Sequence, residues 1–418
     1  MTTIHSATIQ GVTAQPVTVE VDLLNRLSCT VIAGLPSASA RETAARVRYA
    51  IEAAGKSYPQ QRVAVSVGPT DQRKTNPTSF DLPIALAVLA ANGLTPEDPA
   101  KFGDTVYVGE LSLRGELRSV RGILPIVQMA RDAGRSGVVV PVGNAVEAAL
   151  VTGIDIYAAH LLADVVAWVS GTGELPRACY SLPLGIDSPS LDLAEVRGQK
   201  EGCQALEAAA VGGHNLLLIG PPGCGKAMLA VRLPGLLPSP TKDEALEVTA
   251  IRSVAGLAGM AGGLWGRRPF RAPHHTVSTA GLVGTRDRPG EATLAHRGVL
   301  FLDDLPEFRR EALTALASVV AKRDSHGMPA DFLLVASTNP CPCGLSGAAQ
   351  SDKRPSDCRC SDDAMKRHWA RLREFMELLS ITVSAEVERA SLDAPRAESS
   401  AVVQRRVVAA RRAAKGGA

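Results

Sequence analysis

The residues with the clearest chemical meaning are 220–227, which read Gly-Pro-Pro-Gly-Cys-Gly-Lys-Ala. This pattern is typical of a phosphate-binding loop, whose glycines let successive backbone N–H groups point at phosphate oxygens and whose lysine contacts the outer phosphates. A Ser or Thr normally follows the lysine and ligates Mg²⁺ through its hydroxyl. Alanine stands at that position here. The sequence predicts a nucleotide site with incomplete metal chemistry, formed by Gly220, Pro221, Pro222, Gly223, Cys224, Gly225, Lys226 and Ala227.

Polar side chains also follow two apolar segments further along the chain. Residues 298–304 (Gly-Val-Leu-Phe-Leu-Asp-Asp) predict a buried strand that ends in paired carboxylates. In ATPases with this loop the first acid serves Mg²⁺ and the next, usually Glu, orients the attacking water. We therefore predict Asp303 as a magnesium ligand and Asp304, one methylene shorter than Glu, as a catalytic residue. Residues 332–339 predict another buried strand, and it ends at Asn339, whose amide can contact the γ-phosphate.

The phosphate-binding loop needs a strand before it and a helix after it. Residues 214–220 form a short apolar run that predicts the strand, and residues 227–233 are predicted to start the helix that follows the loop. Another helix is predicted over residues 200–211. Strand, glycine loop and helix therefore follow one another in the order that a nucleotide site requires.

Four of the eight cysteines lie close together in the sequence, at Cys341, Cys343, Cys358 and Cys360. In a reducing compartment such a cluster indicates a metal site more than disulfides. Four thiolates bind Zn²⁺ tetrahedrally, but structural zinc sites more often use C-x₂-C pairs than the C-x-C pairs found here. The spacing is compatible with two interpretations, a zinc site and a loop of reduced thiols.

Composition and charge exclude several classes of protein. The chain has 418 residues, of which 45% are hydrophobic and 21% charged, as expected for a folded protein of two or three domains. The net charge of +3 is too small to indicate nucleic-acid binding by itself. No signal peptide is apparent at the start, and no run of about 18 apolar residues predicts a membrane span. We expect a soluble cytoplasmic protein without membrane partners.

The first part of the chain has a different pattern from the second. Residues 17–23 and 62–67 alternate apolar and polar side chains, as half-buried strands do, whereas residues 40–54 and 80–92 predict helices. An α+β domain is expected over residues 1–172. A linker rich in Gly, Ser and Pro follows over 173–190, and the nucleotide-binding domain occupies 191–418.

Together these segments resemble the YifB/ComM family of magnesium-chelatase-like AAA+ ATPases. In the second half the resemblance lies in the phosphate loop, residues 268–276 (Arg-Pro-Phe-Arg-Ala-Pro-His-His-Thr), residues 298–308 and residues 339–344 (Asn-Pro-Cys-Pro-Cys-Gly). In the first half, residues 80–85 (Phe-Asp-Leu-Pro-Ile-Ala) are among the segments similar to the family's Lon-protease-like domain. The resemblance implies an α/β fold class, with a Lon-like α+β domain of the ribosomal S5 domain 2-like type followed by a P-loop AAA+ core.

The resemblance also implies cofactors, partners and residue roles. It implies ATP with Mg²⁺, a ring of like or related subunits, and processing of branched DNA. By position, Lys226 would bind phosphate, Asp303 would serve Mg²⁺ and Asn339 would be the sensor residue. Gln199, just before the first core helix, would lie near the adenine. The cysteines also occur in the family, so the resemblance implies a possible zinc site.

The chain departs from the family pattern at several points of the catalytic cycle. Ala227 replaces a Thr, and Asp304 replaces a Glu. Between residues 316 and 332 the sequence predicts that a β-hairpin of the family is absent. Residues 373–381 contain no arginine at the expected finger position, and the chain ends before most of the family's helical lid. The basic residues of the C-terminal segment predict a solvated helix, with DNA contact as the alternative.

These departures lead to a hypothesis with two alternatives. The leading hypothesis is an ATP-binding AAA+ protein of DNA metabolism whose hydrolysis is impaired, because an arginine finger alone contributes about 10³–10⁵ in rate. One alternative is an active ATP-dependent DNA branch-migration helicase. The other is a non-enzymatic regulatory partner of an intact paralogue.

Overall fold

The computed structural model describes residues 2–69, 74–179, 191–257, 263–344, 358–386 and 393–416. The chain forms two compact units. The first comprises Met1–Gly185 and Thr249–Leu264, and the second comprises Ile186–Val248 and Trp265–Ala418. Thr249–Leu264 lies within the nucleotide-binding domain predicted from the sequence but groups with the first unit.

The first unit is built on a mixed seven-stranded sheet with the order β3-β4-β2-β1-β5-β8-β9. Strands β1 and β2 form a long antiparallel hairpin, whereas β5, β8 and β9 are parallel. Burial alternates along β4, which confirms the strand that the sequence predicted there. The strands are β1 (Thr2–Gln10), β2 (Thr13–Leu24), β3 (Thr30–Ala33), β4 (Arg62–Gly68), β5 (Thr105–Tyr107), β6 (Glu110–Leu111), β7 (Leu117–Arg118), β8 (Gly137–Pro141) and β9 (Asp155–Ala159).

The helices of the first unit include α2, which is apolar on every side and buried from Asp81 to Leu89. Asn92 follows its last turn, and Gly93 has a φ of +100°, so the helix ends where the sequence predicted. The buried Asp81 carboxylate accepts two hydrogen bonds from Arg46 of α1, at 2.7 and 3.1 Å. The helices are α1 (Ser37–Ala53), α2 (Asp81–Ala91), α3 (Ala100–Gly103), α4 (Ile123–Asp132), α5 (Ala145–Ala148) and α6 (Leu162–Val169).

The second unit contains a parallel five-stranded sheet with the order β11-β14-β17-β10-β18. Strands β10, β14 and β17 are mostly apolar and buried, because both faces of the sheet are covered. The strands are β10 (Asn215–Ile219), β11 (Phe270–Arg271), β12 (Gly284–Thr285), β13 (Arg288–Pro289), β14 (Val299–Leu302), β15 (Asp324–Ser325), β16 (Met328–Pro329), β17 (Leu333–Thr338) and β18 (Ile381–Glu386). Because β10, β14 and β17 are adjacent and parallel, their carboxyl ends meet at one edge of the sheet.

The helix after the phosphate-binding loop is shorter than predicted. It covers Lys226–Ala230, and a 3-10 turn over Leu233–Leu236 replaces its continuation. Pro234 explains the difference, since proline lacks an N–H group and clashes with the carbonyl of the preceding turn. The helices of this half of the chain are α7 (Lys200–Gly212), α8 (Lys226–Ala230), α9 (Lys242–Val254), α10 (Thr279–Val283), α11 (Glu291–Leu294), α12 (Arg310–Lys322), α13 (Asp362–Leu378) and α14 (Ser400–Gly416).

Two expectations about the second unit are wrong. A small hairpin is present between residues 316 and 332, formed by β15 and β16, with His326 and Gly327 at positive φ in its turn. The C-terminal helix α14 is not simply solvated, because Val403 and Val407 are buried against the core. Arg406 forms ion pairs with Glu207 and Glu398, so part of the basic charge is neutralised within the chain.

Among the residues that the structure describes, no helix is both long and apolar enough to span a bilayer.

A pH-dependent contribution to stability is expected from the buried His296. Its Nδ1 accepts a hydrogen bond from the N–H of Asp331 at 3.0 Å, and its Nε2 donates to Glu247 at 3.1 Å. Burial lowers the pKa of His296 below its ordinary value of 6.5. The unfolded chain therefore takes up a proton below pH 6.5 that the folded chain does not, so this contribution is complete above pH 6.5 and is lost as the pH falls.

The measurement is the free energy of unfolding in urea over about pH 5 to 8. The wild type should lose up to about 1.4 kcal/mol per pH unit relative to His296→Gln on the acid side. The exposed His214 offers a control, since His214→Gln should keep the wild-type slope. Parallel curves for wild type and His296→Gln would show that this histidine does not contribute.

Candidate functional site

The predicted phosphate-binding loop, residues 220–227, connects β10 to α8 and lies at the carboxyl edge of the parallel sheet. Gly223 and Gly225 have φ values of +75° and +107°, which glycine adopts without the steric cost that a side chain would add. These conformations are why the sequence needs glycine at these positions. The predicted loop and its flanking strand and helix are therefore present together in the structure.

The ammonium group of Lys226 lies inside the loop. Its Nζ donates to the carbonyl oxygens of Gly220 and Pro221 at 2.7 and 3.1 Å, and to Oδ1 of Asn339 at 3.2 Å. The lysine side chain is buried. Asn339 follows β17, the strand next to β10, so two residues 113 positions apart in the sequence meet at one point. The structure thus brings the predicted phosphate ligand and the predicted sensor residue together.

Gln199 is buried directly beside the loop. It precedes α7 with a φ of +58°, and its Nε2 donates to the carbonyl oxygen of Cys224 at 2.8 Å. The side chain therefore supports the loop backbone. Its predicted place near an adenine ring stays a prediction.

The two acids follow β14, on the other side of β17 from the loop. Ser337 of β17 connects them, because its hydroxyl donates to Oδ1 of Asp303 at 2.5 Å and accepts from the N–H of Asp304 at 3.0 Å. Asp303 is exposed, and Asp304 is partly buried with a φ of +54°. The serine orients one carboxylate and fixes the backbone of the other. Ala227 is exposed in the first turn of α8 and offers no oxygen ligand.

The four predicted cysteines come together in space. Their sulfur atoms all lie within 4.8 Å of one another, and three pairs lie at 3.3, 3.5 and 3.7 Å. A tetrahedral zinc site with Zn–S bonds of about 2.3 Å places its sulfurs roughly 3.8 Å apart. The arrangement of Cys341, Cys343, Cys358 and Cys360 therefore fits a tetrahedral metal ion. All eight cysteines of the chain lie within the described residues and are free of disulfides.

Helix α13 adds residues that the sequence analysis did not single out. Arg367, His368 and Arg371 line a cleft of about 610 Å³ together with Asp304 and Asn339. The Nε2 of His368 lies 2.9 Å from the backbone oxygen of Asn339, and Arg371 donates to the carbonyl oxygen of Pro306 at 2.8 Å. The sequence contained one indication of this contact. Asp362, where α13 begins, follows Cys360 by two residues, so a cluster of Cys358 and Cys360 with Cys341 and Cys343 places the start of the helix near the end of β17.

Comparisons with known proteins agree with these features. The family model described as "Magnesium chelatase, subunit ChlI" matches residues 192–392, and the model "Subunit ChlI of Mg-chelatase" matches residues 19–144. An uncharacterised protein of Mycobacterium tuberculosis is 40% identical over 98% of this chain and 82% of its own length. The uncharacterised protein YifB of Escherichia coli is 38% identical over 98% of this chain and 81% of its own length.

A third relative is a competence protein. The competence protein ComM of Haemophilus influenzae is 40% identical over 82% of this chain and 69% of its own length. The identity to these relatives extends over both units, and the parallel sheet of the second unit is consistent with an AAA+ α/β core. This chain belongs to the YifB/ComM family of magnesium-chelatase-like AAA+ ATPases.

Proposed function

We propose that this chain binds ATP at residues 220–227 as part of an AAA+ ring of DNA metabolism, and that its hydrolysis of ATP is impaired. The contact between Lys226 and Asn339 carries the first part of the proposal. An ammonium group and an amide that already touch, beside left-handed glycines, form a place where phosphate oxygens find donors from several directions. The neighbouring strand supplies Asp303 as the acid for Mg²⁺.

We propose that ATP hydrolysis is impaired because the site offers few oxygen ligands for Mg²⁺. Mg²⁺ prefers octahedral oxygen coordination and uses one or two carboxylates together with phosphate oxygens and waters. Asp303 is available, but Ala227 removes the hydroxyl that normally completes the set. Asp304 has a shorter side chain than the usual Glu, and Ser337 holds its backbone in place. Both the metal and the attacking water would therefore be less well positioned.

An active ATPase or branch-migration helicase is the second candidate, and one observation favours it. Arg367 and Arg371 line the same cleft as Asp304 and Asn339. Guanidinium groups close to a transferring phosphoryl group stabilise its developing charge. These two arginines would supply positive charge from within the chain and would compensate for the arginine that is absent from the expected finger position in residues 373–381. A regulatory partner of an intact paralogue is the remaining alternative, in which binding without turnover is sufficient.

We also propose that the four cysteines bind Zn²⁺ and that the protein is cytoplasmic. The sulfur distances support the metal, and eight cysteines without a disulfide fit a reducing compartment. Zinc with four thiolates has no open coordination position, so its role would be structural. The partners proposed from the family are further subunits of a ring, of this chain or of a relative, and DNA.

Measurements of ATP binding and turnover test the proposed function. Wild type should bind ATP, and Lys226→Ala should weaken binding by about 2 kcal/mol or more, since it removes a charge-assisted contact. Steady-state turnover should be slow, and Ala227→Thr should increase both the Mg²⁺ dependence and the turnover. Arg405→Ala provides a control on the exposed side of α14 and should behave as wild type.

The outcomes separate the candidates. Fast turnover that DNA stimulates and Lys226→Ala abolishes would favour the helicase and contradict impaired hydrolysis. Binding without turnover, even in the presence of DNA, would favour the regulatory partner.

Metal analysis of protein purified without added zinc tests the cysteine site. We expect about one Zn²⁺ per chain, because four thiolates at tetrahedral spacing bind zinc tightly. Cys358→Ser should reduce the zinc content strongly. Cys179→Ser changes an exposed cysteine outside the cluster and should leave the zinc content unchanged. Metal-free wild-type protein would mean that the cluster is a loop of reduced thiols.

A further inference from the structure

We propose that the four-cysteine metal site is coupled to the nucleotide site, so that zinc strengthens nucleotide binding and bound nucleotide strengthens zinc binding. This inference rests on the zinc and ATP sites proposed above. It is carried by two separate arms that lead from the cysteines to the phosphate-binding loop. Each arm is a short series of direct contacts within the second unit.

The first arm runs through Gly344, the residue after Cys343. Gly344 is buried, with a φ of +79°, and packs against Pro222 of the phosphate-binding loop. A Cβ atom at this position would lie 2.8 Å from Cδ and 3.0 Å from Cγ of Pro222. The loop and the cysteine segment are therefore in van der Waals contact, with no room for a methyl group between them.

The second arm runs through α13. Ser361 directly follows Cys360 and caps α13, because its hydroxyl accepts the N–H of Ala364 at 3.3 Å. In the second turn of this helix, the Nε2 of His368 lies 2.9 Å from the backbone oxygen of Asn339. Any shift of the Cys358 and Cys360 pair therefore reaches the sensor residue through a continuous helix.

Both arms end in the predicted phosphate-binding loop, the first at Pro222 and the second at Lys226. Asn339 accepts a hydrogen bond from Lys226, and Cys341 follows Asn339 by two residues. Cysteines 341 and 343 thus continue from the sensor strand, whereas cysteines 358 and 360 lead into α13. A metal ion bound by all four fixes the position of α13 relative to Asn339 and of Gly344 relative to Pro222. Both contacts border the place where phosphates are proposed to bind.

Thermodynamic linkage gives the coupling a measurable form. If zinc increases the affinity for nucleotide by some factor, nucleotide increases the affinity for zinc by the same factor. Couplings between sites in proteins are typically about 5- to 150-fold. Because the contacts here are direct, we expect a factor of about ten or more.

The experiment measures this factor in both directions on the full chain. Zinc is removed with a chelator that is then removed by desalting, and the affinity for a fluorescent ADP analogue is compared before removal, after removal and after zinc is added back. The affinity should fall about tenfold and recover. In the reverse direction, saturating ADP should raise the zinc affinity, measured by competition with a chromophoric chelator, by the same factor.

Substitutions in each arm identify the path. Gly344→Ala should weaken ADP binding while the protein still binds one zinc. Gly327→Ala is its matched control, because Gly327 has a similar φ of +84° but no atom within 4 Å of the position that a Cβ would occupy. His368→Leu should keep zinc and reduce the coupling factor toward one, and His368→Gln, which retains an N–H donor, should restore part of it.

Each contrary result overturns a different part of the proposal. Protein that binds zinc and ADP, but with affinities independent of each other, overturns the coupling and leaves both proposed sites intact. Protein without zinc overturns the metal site and the coupling together. Protein that binds zinc but no nucleotide overturns the proposed function and, with it, the coupling.

Discussion

The pairing of β10 with β17, which brings Lys226 and Asn339 within hydrogen-bond distance, is the constraint on which the site in the second unit depends. This hydrogen bond exists only if β10 and β17 are adjacent, parallel and in the register that places Ile219 opposite Thr338. That register in turn needs apolar side chains on both faces of the strands, which is why residues 216–218 and 334–336 are fully buried. The Ser337 contacts, the cysteine cluster and the start of α13 all depend on where β17 ends.

The sequence predicted the features that depend on residues close together in the chain. The strand before the predicted phosphate-binding loop and the start of the helix after it follow from short apolar runs and from the spacing of glycines, and both elements are confirmed. The clustering of four cysteines was also visible, because two close pairs only need a turn of the chain to meet. Pro234 could have been used to predict the early end of α8, since its effect on a helix is local.

Contacts that depend on strand order were not predictable in the same way. Ser337 is an unremarkable residue in an apolar strand, and its role between Asp303 and Asp304 emerges only once β17 is known to lie beside β14. His368 and Arg371 face the cleft because of the rotation of α13 about its axis, which the packing of Leu372 and Phe375 sets. The small hairpin formed by β15 and β16 was missed because its strands have only two residues each, too few for a periodic pattern.

The backbone at Asp304 limits which acid can occupy this position. A φ of +54° is uncommon for residues with a side chain, and aspartate and asparagine tolerate it better than longer residues because their short polar groups can bond locally. Glutamate would therefore carry a conformational cost here in exchange for its longer reach toward water. The reach of the acid and the backbone geometry after β14 therefore oppose each other at this position, and aspartate is the acid that the turn accommodates at the smaller conformational cost.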